Sequence, residues 1–253
     1  EHNKKAQILR NGLIISIFNN LEDYLKNRIG ESLSALANTN IAFNNCHDDL
    51  QKALTIDALQ SIYAIANRKF KDNKADAVLF VQNESTHIAS TINNTFSASK
   101  YAFGWTKSNL DVDDLPKAMK IHGVTKFWTV VNFISAQTGT TLSDARTDFY
   151  NISQARHKAA HESSSNISLI DIETYLYSSL VIAFSVDILL NQCLIFFRNA
   201  HIGFIKQTDP PYDFKSHQWS FRYLKRNNNV FKEYRNKSAL KVIKSYTDNY
   251  QQA

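Results

Sequence analysis

The sequence predicts an all-α protein, a helical bundle followed by a basic C-terminal appendage. Six glycines and three prolines in 253 residues leave few of the turn residues that many-stranded folds need. Apolar residues recur at three- and four-residue spacing over long stretches, as amphipathic helices require. The pattern then changes to interleaved aromatic and basic residues. We therefore predict a helical domain over residues 1–200 and an extension over residues 201–253.

The opening stretch carries the longest periodic pattern and predicts one long helix. Its apolar residues recur at helical spacing: Ile8, Leu9, Leu13, Ile14, Ile17, Phe18, Leu21, Tyr24, Leu25, Ile29, Leu33 and Leu36. Less regular patterns predict two further helices, over residues 48–71 and from residue 75 to about 99. Polar breaks separate them, and residues 100–110, without a clear period, are expected to be a connector.

The middle of the chain predicts two shorter helices. Residues 113–116, Asp-Asp-Leu-Pro, suit a helix start, because aspartate can cap the first amides and proline loses no useful donor there. This helix is expected to run to His122 and to end at Gly123. Residues 126–136 predict the second, apolar helix, which ends before a Thr-Gly-Thr-Thr loop.

Two more helices complete the predicted bundle. Ser143 is expected to cap a helix that runs to about Glu162, with a core face formed by Ala145, Phe149, Ile152 and Ala159. Serines then break the chain. Ser168 and Asp171 form a Ser-x-x-Asp capping pattern, which predicts the start of a final long helix that reaches about Phe197.

Composition favours a cytoplasmic protein that is not inserted in a membrane. Only Cys46 and Cys193 are present, too few for a disulfide framework or a four-cysteine zinc site. The most apolar stretch, residues 176–197, contains Asp187, Asn191 and Gln192, which a membrane-spanning helix would bury at a high free-energy cost. We expect this stretch to be a buried core helix, and the first residues show no signal-peptide pattern.

The net charge of +6 is concentrated at the C-terminal end. Residues 201–253 hold ten Lys and Arg against four Asp and Glu. This imbalance indicates an anionic partner, nucleic acid first and a membrane surface second, although ordinary solvated lysines would also account for it. Within the extension, residues 219–223 predict a short strand and residues 230–246 predict a helix with a basic side.

Four basic or titratable residues occupy six positions near the end of the helix that precedes Glu162. Arg156, His157, Lys158 and His161 stand there. His157 and His161 are four residues apart and share a helix face, whereas Arg156 lies about 140° from His161 and has a long side chain that can swing across. Imidazole can move a proton near neutral pH, and guanidinium binds phosphate oxygens. This combination suits RNA cleavage by the ribose 2′-hydroxyl.

Two other interpretations of the same residues stay open. Cations near a helix C-terminus are favoured by the helix dipole by about 0.3 to 1 kcal/mol each, without any function. The His157-x3-His161 spacing also suits two zinc ligands on one helix turn. However, Lys158 stands where a His-Glu-x-x-His site has its glutamate, and a cation beside zinc disfavours a metal hydrolase.

The Arg-His-Lys-Ala-Ala-His segment resembles the Arg-x4-His signature of the HEPN superfamily. The resemblance extends to Leu-Glu-Asp-Tyr-Leu at residues 21–25 within the first helix, and to Ser-Asn-Leu at 108–110 followed by residues 116–123, as in RiboL-PSP-HEPN-like sequences. The order of motif, serine-rich loop and final helix also matches. The resemblance covers about residues 6–197 and implies a HEPN-like helical bundle.

The resemblance also implies a metal-independent endoribonuclease that needs no cofactor. His161 would transfer protons, Arg156 would bind the phosphate in the transition state, and His157 would be an auxiliary polar group. Products would carry 2′,3′-cyclic phosphate and 5′-hydroxyl ends. Family members usually form homodimers in which two motifs line one cleft. Many are toxins or antiviral defence effectors, so an antitoxin or defence-system partner is expected.

RNA contacts are also expected outside the motif. Lys158 is predicted to attract phosphate, and Trp219, Arg222, Lys225 and Arg226 in the extension combine a ring that can stack on bases with positive charges. The alternative is a non-catalytic HEPN module that binds nucleic acid or protein. Such a module would use the bundle for dimerisation and the extension for contact, and cleavage of RNA would distinguish the two.

Overall fold

The computed structural model describes residues 2–37, 41–93, 95–103, 109–138, 140, 142, 144–162 and 165–198, and the backbone of residues 221–227 and 230–236. The described body of the chain is helical, so the predicted all-α class is confirmed. Its helices are α1 His2–Ala37, α2 Asp48–Lys52, α3 Ala58–Asp72, α4 Lys74–Ser90, α5 Asp114–Lys120, α6 Phe127–Thr138, α7 Ala145–His161 and α8 Leu169–Arg198.

Helix α1 confirms the single long helix that the sequence predicts. It buries one continuous stripe: Ile14, Phe18, Leu21, Leu25, Ile29, Leu33 and Leu36. The first apolar positions of the pattern do not join this stripe, because Ile8, Leu9 and Leu13 are 62 %, 70 % and 50 % exposed. The N-terminal turns of α1 therefore extend beyond the main core.

The stretch from residue 48 to residue 72 is helical throughout, with a π-helical segment, Ala53–Asp57, between α2 and α3. Asn73 begins α4 by accepting hydrogen bonds at its side-chain oxygen from the Ala75 and Asp76 amides. Helix α4 ends at Ser90, so the predicted extension to about residue 99 is wrong. Side-chain hydrogen bonds account for the end of this helix, because Ser97 bonds to the His87 imidazole and to the Ser90 hydroxyl.

Helix α5 begins beside the predicted Asp-Asp-Leu-Pro start, but Asp113 makes no side-chain cap there. Helix α5 ends at Lys120, two residues before the predicted His122. Gly123, the predicted stop, follows with a φ of 77°, which glycine adopts most readily. Helix α7 is capped by Asp144, whose carboxylate accepts from the Thr147 amide at 3.0 Å. The prediction that Ser143 is the cap is therefore wrong by one residue, and Ser143 itself lies outside the described residues.

Helix α8 begins with the predicted reciprocal cap. The Asp171 amide donates to the Ser168 hydroxyl at 3.1 Å, and the Ser168 amide donates to the Asp171 carboxylate at 3.3 Å. Residues Leu169–Ile195 are long and apolar enough to cross a membrane by length and composition, yet half of the most apolar part is buried in the fold. A core helix meets the same criteria.

The core forms where α1 packs against α7 and α8, and where α6 packs against α8. Phe18 of α1 meets Phe149 of α7 with 5.8 Å between ring centroids, which fixes these two helices side by side. A smaller apolar cluster at the end of α7 consists of Ile14, Ala155, Ile167 and Ile172. This second cluster lies directly beneath the segment that carries the basic motif.

The described part of the C-terminal extension is a hairpin of two antiparallel strands, β1 Phe221–Asn227 and β2 Val230–Asn236. The predicted strand over residues 219–223 overlaps β1. The predicted helix over residues 230–246 is wrong where the backbone is described, because Val230–Asn236 pairs with β1 instead. β-branched and aromatic residues such as Val230, Phe231 and Tyr234 favour a strand once a partner strand is available.

Candidate functional site

The basic motif occupies the last two turns of α7. Its inner face is buried at Ala145, Phe149, Ile152 and Ala155. Burial of Ala145, Phe149 and Ile152 confirms three of the four predicted core positions. Ala159, the remaining one, is partly buried against the smaller cluster. Burial of this stripe leaves Arg156 half-buried at its edge and turns His157, Lys158 and His161 outward into solvent.

His157 and His161 form an exposed pair, as their spacing predicts. Their ring centroids are 4.7 Å apart, with 52° between the ring planes. Both side chains are exposed, and among the described residues neither ring bonds to another side chain. The two imidazoles can therefore reach a solute together, which a general acid or base requires.

Arg156 bonds to a residue outside α7. Its Nη2 donates to the side-chain oxygen of Asn109 at 3.2 Å. Within the described residues no hydrogen bond joins Arg156 to His157 or His161, and the convergence of the three groups on one anion stays a prediction. The Arg156 Nε is enclosed and, among the same residues, has no acceptor. An enclosed donor without a partner is uncommon, and it marks this guanidinium as incompletely satisfied.

Asn109 is held in position by an anchor on α1. The amide of Leu110 donates to the Glu22 carboxylate at 2.7 Å, and Lys26 bonds to the same oxygen at 2.6 Å. Glu22 and Leu110 are both buried. The segment before α5 is therefore fixed to α1 at the residue next to Asn109, although Asn109 itself is exposed.

The loop that follows the motif is also fastened to α1. Gln7 and Asn11 donate side-chain hydrogen bonds to the Ser165 carbonyl at 2.6 and 3.2 Å. Arg10 donates from Nη2 to the Asn166 side-chain oxygen at 3.0 Å, and its Nε, like that of Arg156, lacks an acceptor among the described residues. These residues were not predictable from the sequence, because contacts between segments about 155 positions apart leave no local pattern.

The described arginines that bond to other side chains fall into two groups, which differ in the charge of the acceptor. Arg28 bonds to the carboxylates of Glu31 and Asp187, and Arg146 pairs with Asp113. In contrast, the acceptors of Arg10 and Arg156 are side-chain amides, which are neutral. A neutral acceptor orients a guanidinium without cancelling its charge, so the motif end of α7 keeps its positive potential.

No group of three or more histidine, cysteine, aspartate or glutamate side chains that could hold a metal is found in the described part of the chain. The histidines at positions 47 and 122 lie in the core, and burial lowers the pKa of each. Burial also raises the pKa of the Cys46 thiol to about 12 and raises that of Cys193. These groups are unsuited to proton transfer or nucleophilic attack near neutral pH.

The predicted RNA-contacting residues of the extension are only partly described. Arg222, Lys225 and Arg226 lie in β1, where the register pairs Arg222 with Arg235 and Lys225 with Lys232. Their side chains are outside the described part, and Trp219 lies outside it altogether. Their roles stay predictions.

Comparison with protein-family models, with curated proteins and with solved structures finds no match for this chain.

Proposed function

We propose that this chain is a metal-independent endoribonuclease of the HEPN type. The observation that carries the proposal is the surface at the end of α7, where two exposed imidazoles in contact stand next to an arginine whose described partner is neutral. Acid–base groups and an uncompensated cation within two turns of helix are what cleavage at a phosphodiester needs.

The proposed reaction uses the substrate's own nucleophile. The ribose 2′-oxygen attacks the adjacent phosphorus while His161 accepts the hydroxyl proton, and the bond from phosphorus to the 5′-oxygen breaks. The departing 5′-oxygen takes a proton from a second acid. The products are a 2′,3′-cyclic phosphate and a 5′-hydroxyl. Arg156 would stabilise charge on the non-bridging oxygens, and His157 would act as an auxiliary donor.

A homodimer would supply the second acid. One motif has a single His161, whereas a two-fold axis beside α7 would bring a second His161 to the opposite side of one cleft. Lys158 from both subunits would add positive charge and attract RNA before chemistry. Arg222, Lys225, Arg226 and Trp219 of the extension would hold the flanking RNA.

In the cell we propose the role of a cytoplasmic toxin or antiviral defence effector, restrained by an antitoxin or other defence-system partner. Uncontrolled RNA cleavage would harm the host, so an inhibitory partner or an activating trigger follows from the activity itself. The competing proposal is a non-catalytic module that binds nucleic acid or protein through the same surface.

Cleavage of RNA by purified protein in EDTA tests the proposal. We expect defined fragments from total RNA and tRNA, and we expect them to disappear with Arg156→Ala and with His161→Ala. His157→Ala should reduce cleavage less, since water can partly replace an auxiliary donor. Arg146→Ala is the matched control, because it removes an exposed arginine from the same helix that is already paired with Asp113.

The outcomes separate the alternatives. Full activity of either the Arg156 or the His161 variant would remove the site assignment. RNA that is bound but never cut by the unmodified protein would favour the non-catalytic module. A denaturation midpoint equal to that of the unmodified protein would show that a loss of activity is not a loss of folding.

A further inference from the structure

We propose that Asn109 is a positioning residue, which orients the Arg156 guanidinium toward an RNA phosphate and leaves its positive charge uncompensated. This inference rests on the proposed ribonuclease function and adds a residue from a segment 47 positions before the motif. Asn109 acts through Arg156 and is not itself expected to touch the reacting atoms.

The contact itself restricts the arginine. The Asn109 oxygen accepts from Nη2 of Arg156 at 3.2 Å, while Arg156 as a whole is half-buried and its Nε is enclosed. A guanidinium held at one Nη has lost much of its freedom to swing, yet it keeps donors on the other Nη for a phosphate. Pre-ordering of this kind lowers the entropy lost when the ligand binds.

The acceptor is fixed by the residues that follow it in the chain. Leu110, next in the chain, is buried and donates its amide to buried Glu22 of α1. Two residues further on, the carbonyl of buried Val112 accepts from the Trp128 indole of α6 at 3.2 Å. Asn109 therefore stands at the exposed edge of a segment that two helices fix, so its distance to Arg156 is set by the fold.

The side chain of Asn109 is a neutral amide, and this determines the electrostatics of its contact with Arg156. Arg28 and Arg146 show that this chain pairs other arginines with carboxylates, which both orient and neutralise them. An aspartate at position 109 would hold Arg156 at least as firmly, because a charged acceptor bonds guanidinium more strongly than a neutral one. It would also compete with phosphate for the same charge. Orientation without neutralisation therefore requires a neutral acceptor, which asparagine provides.

Two substitutions separate positioning from a purely structural role. Asn109→Ala removes the acceptor and should weaken RNA binding about tenfold, because the Arg156 side chain must then lose its freedom when RNA binds. Asn109→Asp should keep or raise the denaturation midpoint but weaken RNA binding more than the alanine variant does. If Asn109 served only to hold the segment together, the aspartate variant would bind RNA as well as the unmodified protein.

The decisive test is a double-mutant cycle on the full-length protein. The probe is a 2′-O-methyl RNA oligonucleotide, which has no nucleophilic hydroxyl and cannot be cut, and its Kd is measured by fluorescence anisotropy. Asn109→Ala should raise the Kd about tenfold in the unmodified background and leave it unchanged in the Arg156→Ala background. The matched control is Asn67→Ala, which replaces an exposed asparagine on α3 and should leave the Kd unchanged in both backgrounds.

Each result bears on one proposal. Three results would overturn the positioning role: an equal loss of RNA affinity in both backgrounds, no loss of affinity in either, or no binding of the probe by the unmodified protein. Cleavage of unmodified RNA is measured in parallel. Absence of cleavage together with an intact coupling would refute the ribonuclease and leave Asn109 as a positioning residue for phosphate binding. Cleavage without coupling would support the ribonuclease and overturn the positioning role of Asn109.

Discussion

Acidification should destabilise this protein through His122, whose imidazole is fully enclosed. The ring is 1 % exposed, its Nε2 lies 2.6 Å from the Ser32 hydroxyl, and it stacks on Phe103 with 6.2 Å between ring centroids. Burial, with a smaller contribution from the nearby His47, lowers its pKa from 6.5 to about 4. The ring is therefore neutral in the folded protein over most of the acidic range.

The free energy of unfolding falls on acidification because the unfolded state binds the proton at a higher pH than the folded state. An unfolded chain protonates His122 near pH 6.5, whereas the folded protein resists protonation until about pH 4. The stability contribution is complete above pH 6.5 and is lost as the pH falls toward 4. From these values the free energy of unfolding should fall by about 2 kcal/mol at pH 5 and about 3 kcal/mol at pH 4.

The assay is urea denaturation at pH 7.5 and pH 5.0 of the unmodified protein and of His122→Gln. Glutamine can still bond to Ser32 but does not titrate. The variant should be less stable at pH 7.5 because of imperfect packing, and its loss of stability between the two pH values should be about 2 kcal/mol smaller. His47 is present in both proteins, so its own titration contributes to the loss of stability in each. Equal losses in the two proteins would refute the assignment to His122.

Three further predictions concern the proposed function. EDTA should leave RNA cleavage intact, and loss of activity that zinc or magnesium restores would favour a metal site at His157 and His161. Removal of residues 215–244 should weaken RNA binding and flatten its salt dependence, whereas an unchanged salt slope would reassign this segment to packing or to a protein partner. Light scattering at micromolar concentration should show a homodimer, and a fully active monomer would refute the shared cleft.

Long periodic helices were the predictable part of the fold. Helix α1 and helix α8 follow directly from apolar spacing, and the Ser168–Asp171 cap is confirmed because a capping pattern is local. The cap of α7 was misassigned because Ser143 and Asp144 are both good capping residues and adjacent. Helix α4 ends early because side-chain bonds among His87, Ser90 and Ser97 compete with the helix, and periodicity does not register them.

The candidate site was predictable in its helical part only. Spacing alone places the rings of His157 and His161 together, and the structure agrees. The partner of Arg156 was not predictable, since Asn109 reaches it through an anchor on α1 that joins distant segments. The hairpin was missed for a related reason: a strand is stabilised by its pairing partner, and a basic, aromatic stretch also suits a helix.

The central claim is that the RNA supplies its own nucleophile at a protein site without metal. It is tested most directly with an oligonucleotide in which the mapped cleavage site carries a single 2′-deoxy nucleotide, incubated in EDTA. We predict no cleavage at that position, and cleavage of the all-ribose control to 2′,3′-cyclic phosphate and 5′-hydroxyl ends. Cleavage at the 2′-deoxy position, or products with 5′-phosphate ends, would contradict the proposed reaction.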